Sequence, residues 1–120
     1  MPDRPRSVDH LLPLKPKVLH ILLALADGPR HGYNIMQEVA ARSDGQVRVW
    51  PAAMYGTLRE LERLDLIVEL EKRPNDDDER RRYFALTPLG KRVLSGEVRR
   101  LEAIVGQARA SRALRKAERI

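Results

Sequence analysis

Apolar residues recur at helical spacing over four stretches of this chain, and short alternating runs separate the third stretch from the fourth. Val18, Leu19, Leu22, Leu23 and Ala26 form the first stripe, behind a Pro16 suited to a first helical turn. Asp27-Gly28-Pro29 ends it, because glycine accepts a left-handed cap and proline cannot continue the ladder. His31-Gly32-Tyr33 opens a second helix with Tyr33, Ile35, Met36, Val39 and Ala40 available to pack, fading at Arg42-Ser43-Asp44-Gly45. Val47-Arg48-Val49 is long enough for one brief strand. Pro51 then starts a third helix. In it Met54, Leu58, Leu61 and Leu64 point inward, and Ala52, Ala53, Gly56, Arg59, Glu60 and Arg63 take the other side.

From Val68 to Lys72 the chain alternates as a half-buried strand does. Residues 74–79, Pro-Asn-Asp-Asp-Asp-Glu, break it, and Arg82-Tyr83-Phe84-Ala85-Leu86 returns as the partner strand. Thr87 is a good N-cap with Pro88 behind it, so a last helix begins there. Leu94, Val98, Leu101, Val105 and Ala108 make a heptad-like seam along it, widened by Leu89, Val93 and Ile104. A helix this long exceeds what one small body needs, so a second copy is its expected partner; folding back on its own domain is the alternative. Arg109, Arg112, Arg115, Lys116 and Arg119 form a basic tail. The domain reading is a flexible N-terminal arm over 1–13, a winged helix-turn-helix body over 14–86, and a dimerisation helix with its tail over 87–120. The fold class is mainly α (α+β), with a two-stranded wing, and such folds mostly lay one helix in the major groove of DNA.

Composition refines this only in part. With 120 residues, 42% of them apolar, and one Trp and one Phe, the chain supports one small domain that gains from oligomerisation. The 23 basic residues exceed the 17 acidic ones, which fits a nucleic-acid partner and equally a solvated basic surface. There are no cysteines, which excludes disulfides and thiolate metal sites. The N-terminus lacks an apolar signal segment and no run approaches a membrane span, so a cytoplasmic location without membrane contact is expected. His10, His20 and His31 fall on different elements, and the serines Ser7, Ser43, Ser95 and Ser111 lack nucleophile-elbow surroundings. No glycine-rich phosphate loop is present, and the acidic run lacks the spaced ligands of a calcium loop. Neither an enzyme nor a metal or cofactor site is expected, and His20 reads as a satisfied structural histidine.

Three motifs in order carry a family resemblance. They are LLALADGPRHGYNIMQEV over the first two helices, MYGTLRELERLDLI around the third, and RRRYFALTPLG leaving the wing. Gly32-Tyr33, then Tyr55, Leu58 and Leu61, then Tyr83, Leu86, Thr87 and Gly90 occupy the motif positions. In these the chain resembles the PadR-like family of bacterial transcriptional regulators over nearly its full length. Asp65 stands where that family commonly has glycine, and the short C-terminal part is similar to the subfamily with a single dimerisation helix. The resemblance implies a homodimer on a pseudo-palindromic operator, repression by default, and release by a small-molecule effector or by another signal, neither of which this chain identifies.

The expected DNA-binding residues follow from these elements. Ala52, Ala53 and Gly56 are small enough for the third helix's backbone to approach the groove floor. Tyr55 and Thr57 offer hydroxyls to phosphates, and Arg59 and Arg63 reach phosphates or a guanine edge. The helix is not a basic patch, since over residues 48–73 Arg48, Arg59, Arg63, Lys72 and Arg73 are matched by Glu60, Glu62, Asp65, Glu69 and Glu71. Lys72, Arg73, Arg80 and Arg81 flank the wing and can grip the backbone, with Arg82 beside them; an internal salt-bridge cluster is the competing reading. The acidic tip, Asp76 to Glu79, is expected to stay away from phosphates. Tyr33 meets a phosphate at its helix N-terminus or packs as a core ring. Lys15, Lys17, Arg4 and Arg6 are further phosphate candidates; Trp50 closes the core or sits on a dimer surface, and packing is expected. The rivals are a winged-helix protein-interaction module without DNA binding and a MarR-like regulator.

Overall fold

The computed structural model describes residues 8–71 and 81–118. Helix α1 (Pro16–Ala26) lies at the centre, packed against α2 (Gly32–Arg42), strand β3 (Tyr83–Leu86) and α4 (Pro88–Ala110). Because it is covered from several sides, its deepest residues are Ile21, Leu22, Ala24 and Leu25. Val18, Leu19 and Leu23 are half-buried and Ala26 is exposed, so the stripe expected from spacing is offset from the buried face. Helix α3 (Pro51–Arg63) buries Met54, Leu58 and Leu61 of its expected stripe, whereas Leu64, at the C-cap where the helix ends, is 39% exposed. Phe84, Ile35, Val39, Leu66, Ile67 and Val93 complete a core of small and branched side chains.

The sheet has three strands, in the order β1-β3-β2 and antiparallel throughout. Strand β2 (Ile67–Glu69) aligns Ile67 with Leu86 and Glu69 with Phe84, which gives the two-stranded wing base expected from the sequence. The third strand is β1 (Arg30–His31), where Arg30 faces Phe84 and His31 faces Tyr83. The segment Val47–Val49, expected to be a strand, is irregular. It buries Val49 as a plug while Ser43 Oγ, which donates to the Val39 carbonyl at 2.7 Å, accepts the Val47 N–H at 3.0 Å. A side chain thus takes a polar group a ladder would have used.

The junction of α3, β2 and α4 fixes the end of α3. Asp65 takes a left-handed conformation (φ 62°), the Leu66 N–H donates to the Leu61 carbonyl at 2.9 Å, and the Asp65 N–H donates to Glu62 O at 2.9 Å. This is a Schellman cap with aspartate in the place glycine fills most readily. Thr87 clasps the same turn. Its Oγ1 donates to Asp65 O at 2.5 Å and accepts from the Gly90 N–H at 2.9 Å, while its own N–H donates to Leu66 O at 3.1 Å. A Cβ on Gly90 would lie 2.0 Å from Leu66 O. The Thr-x-x-Gly sequence therefore caps α4 and lets it sit directly on the strand start.

Residues 8–13, expected to belong to a flexible arm, dock on the body instead. A 3-10 turn, Asp9–Leu11, leads Val8, Leu11, Leu12 and Leu14 onto the core, and Val8 and Leu12 cover Gly96. Glu97, only 1% exposed on α4, accepts the Leu14 N–H at 2.9 Å and holds Arg100 with both oxygens. The Arg100 guanidinium, seconded by the Leu14 N–H, lowers the Glu97 carboxyl below its ordinary range against the opposing effect of burial. At the other end α4 stops at Ser111, which is extended, and a separate helix α5 (Arg112–Glu118) carries Arg112, Arg115 and Lys116 of the basic tail, while Arg109 belongs to α4 and Arg119 lies outside the described residues.

Candidate nucleic-acid interface

Helix α3 begins at Pro51 and lies over Met54, Leu58 and Leu61, so its outward stripe is Ala52, Gly56, Arg59 and Arg63. All four are exposed, and a Cβ on Gly56 would meet nothing within 4 Å. The N-terminal half of this face is bare backbone and methyl groups; the C-terminal half carries two guanidiniums. Arg63 is paired with Glu60 one turn back, whereas Arg59 has no ion pair among the described residues. Thr57 Oγ1 donates to Ala53 O at 3.0 Å. The hydroxyl expected to donate to a phosphate is turned into its own helix.

Tyr55 leans from α3 onto the start of α2. A Cβ on Gly32 would come within 2.9 Å of Tyr55 Oη, so the ring packs where only glycine leaves room. The Tyr55 side chain as a whole remains 39% exposed. Tyr33 is 61% exposed and is not a core ring. His31 caps α2 by accepting the Asn34 N–H on Nδ1 at 3.2 Å, and its ring meets Tyr83 edge-on at 5.3 Å. Together His31, Gly32, Tyr33, Tyr55, Arg81 and Arg82 line a shallow concavity of about 330 Å³ beside the outward stripe. Arg30 holds this end of α2 in place. Its Nε donates to Ala24 O at 2.6 Å, Nη1 to Asn34 Oδ1 at 2.6 Å, and Nη2 sits 3.3 Å from Glu38.

At one described residue the wing stem follows the internal salt-bridge reading. Arg82 bonds Glu69 at 2.6 Å across β2 and β3 and lies over the Phe84 ring, and its guanidinium lowers the Glu69 carboxyl. That residue is part of the internal brace. Arg81 is exposed on the rim of the concavity. Lys72, Arg73, Arg80, Arg4, Arg6 and the acidic tip lie outside the described residues. Lys15 and Lys17 line a second groove of about 540 Å³ between the start of α1 and α3, floored by Leu61, Leu64 and Leu66.

Two expectations are corrected. Trp50, expected to pack, is 68% exposed at the N-cap of α3, because Val49 and Pro51 on either side already commit the chain inward and into the helix. His20, expected to be satisfied, has a buried Nδ1 without a hydrogen-bond partner. Of the seam residues, Leu94 is buried within its own chain and Leu101 and Ala108 are half-buried, while Val98 and Val105 stand exposed with Ile104 beside them. Leu23, Ala26, Leu86, Leu94 and Val98 line an apolar groove of about 330 Å³ between α1 and α4. No helix of the described residues is long and apolar enough to cross a membrane. No group of three or more acidic or histidine side chains among them could hold a metal ion.

Comparison with known proteins identifies the fold and the family. Transcriptional regulator Rv3488 of Mycobacterium tuberculosis is 40% identical over 86 residues, which is 72% of this chain and 76% of that protein. A 37.1 kDa protein in transposon TN4556 of Streptomyces fradiae is 37% identical over 87 residues, 72% of this chain but only 23% of that protein's length. The structure of Bacillus subtilis PadR in complex with operator DNA superimposes with a TM-score of 0.61 at 21% identity, over 72% of this chain and 48% of that one, which shows a shared fold. The model of the transcriptional regulator PadR-like family matches residues 21–96, from α1 through the start of α4. With that span covering more than half its length, and with the winged-helix architecture in place, the chain belongs to the PadR-like family of transcriptional regulators.

Proposed function

We propose that this chain is a cytoplasmic, homodimeric regulator that binds a pseudo-palindromic operator and represses transcription from it. The observation that carries the reading is the outward stripe of α3. Small residues at its start and Arg59 and Arg63 toward its end stand clear of the core over a rigid leucine floor. In a helix-turn-helix the second helix of the motif reads base edges while its neighbours hold phosphates. Here Tyr33, the Tyr55 hydroxyl and Arg81 around the concavity are the phosphate-holding set, with Lys72, Arg73 and Arg80 assigned to the same task from the sequence. The B. subtilis relative, solved with operator DNA, supports the same use of the fold.

The dimer reading rests on apolar surface that this chain leaves open. Val98, Ile104 and Val105 continue outward from the α1–α4 groove along a helix whose second half has little of the body beneath it. A second copy packed along α4 buries that stripe and sets the spacing of two α3 helices. Control by a small-molecule effector enters from the family resemblance.

The test uses a fluorescent duplex enriched by the protein from random sequence. Arg59→Ala and Arg63→Ala each weaken binding by about 1–3 kcal/mol while leaving the melt and the sedimentation mass unchanged. Leu101→Glu converts dimers to monomers in sedimentation and weakens operator binding. Unchanged affinity in both arginine variants would remove α3 from the interface, and a monomeric wild type would remove the dimer. A complex insensitive to salt would favour the protein-interaction rival, because neutralising phosphates releases counterions.

A further inference from the structure

The most exposed aromatic side chain in the described structure is the chain's single tryptophan, and it sits at the mouth of the recognition helix. We propose that Trp50 is a DNA-contacting residue, its indole seated on the duplex at the edge of the groove that takes α3, with Nε1–H donated to a phosphate oxygen. This rests on the reading of α3 given above and adds a residue to it.

Two observations single out Trp50. Two-thirds of the side chain faces solvent although Val49, beside it, is buried, so the chain had an inward position available one residue away. Trp50 also occupies an N-cap where it supplies no side-chain hydrogen bond. The caps of α2 and α4, His31 and Thr87, both accept an N–H from the first turn. A Ser, Asn or Asp at position 50 would cap α3, so the tryptophan forgoes the stability such a cap supplies.

The surroundings name the chemistry of the partner. Trp50 is extended (φ −86°, ψ 153°) and is followed by Pro51, Ala52 and Ala53, with no acidic residue in the first turn of α3. Nothing there repels a phosphate or holds the backbone away from it. The N-terminal residues of a recognition helix are the ones that go deepest toward the bases, and the residue before them meets the groove edge. An indole brings a flat apolar face for deoxyribose and one donor, with no acceptor to oppose an anion. Arg48, exposed two residues earlier, adds positive charge on the same approach.

Because there is one tryptophan, intrinsic emission reports on position 50 alone. The full-length protein is titrated with a dye-labelled duplex enriched from random sequence, and duplex anisotropy and tryptophan emission are followed together. The expected result is quenching and a blue shift of the emission that saturate with the anisotropy. Trp50→Ser is expected to melt no lower than wild type yet bind about tenfold more weakly, and Trp50→Phe to fall between them. Saturating anisotropy with unchanged tryptophan emission, or wild-type affinity in Trp50→Ser, would overturn the assignment and leave the DNA reading of α3 standing. An emission shift that follows protein concentration without DNA would place Trp50 between copies instead and also overturn it. No anisotropy change at all would overturn the function reading, and this inference with it.

Discussion

Replacing Gly56 by alanine sets the stability of α3 against its function. Gly56 lies in the middle of a thirteen-residue helix, on the outward stripe, and an added Cβ meets no atom within 4 Å. With no clash to oppose it, the substitution gains the full helix propensity difference, about 1 kcal/mol in favour of alanine. For a domain of this size that raises the melting temperature by roughly 4 °C. If the face meets DNA, the same methyl stands between the helix backbone and the groove. Losing one phosphate or base contact costs about 1–3 kcal/mol, or about fivefold to 150-fold in affinity. The assay is a thermal melt and an anisotropy titration on the same preparations, at equal protein concentration because dimerisation makes the melt concentration-dependent. A higher melting temperature with wild-type affinity would refute the assignment of this face to the groove. A lower melting temperature would refute the claim that the space around Gly56 is open.

Three further substitutions probe the frame that holds α3. Gly90→Ala drives a Cβ into the Leu66 carbonyl and should destabilise by about 3–5 kcal/mol in denaturant unfolding, since only a backbone shift can relieve the contact. Asp65→Gly relieves a left-handed conformation and keeps both backbone hydrogen bonds of the cap, so stability should rise by about 0.5–1 kcal/mol. Glu97→Gln removes the charge that binds Arg100 and should cost about 1–3 kcal/mol near neutral pH. Its carboxyl is lowered in the folded chain, so its stabilisation is present above about pH 4.5 and is lost as pH falls through the folded value. Wild type should therefore lose more stability than Glu97→Gln between about pH 5 and pH 3, and parallel pH profiles for the two would contradict the pairing.

The elements that were legible in the sequence are those set by local rules. Pro16, Pro51 and Pro88 mark the first turns of α1, α3 and α4, and Thr87 caps as its position suggests. The leucine stripe of α3 gave its buried face, because that helix packs on one side only. Asp65 was visible as the odd residue at a turn that favours glycine, and its positive φ bears out the concern. What escaped was decided by distant partners. Arg30–His31 has no strand pattern and pairs because β3 passes beside it, while Val47–Val49 has the pattern and lacks a partner strand. The docking of residues 8–14 depends on a buried glutamate 83 residues further on, which no local reading of a proline-rich segment reveals. Of the candidate site, sequence placed Ala52, Gly56, Arg59 and Arg63 on one exposed stripe, where they stand. It could not show that Thr57 bonds its own helix, that Arg82 braces Glu69, or that Trp50 faces outward. Each of those depends on a rotamer or a neighbour that spacing does not encode.

The central claim is that two copies of α3 read one duplex. It is tested most directly by selecting bound sequences from random double-stranded DNA with the purified full-length chain. The account predicts enrichment of an inverted repeat whose half-sites lie one helical turn apart, about 10 base pairs, or a multiple of that, with binding that weakens steeply as salt rises. A library that stays unenriched while the protein is folded and dimeric would contradict it.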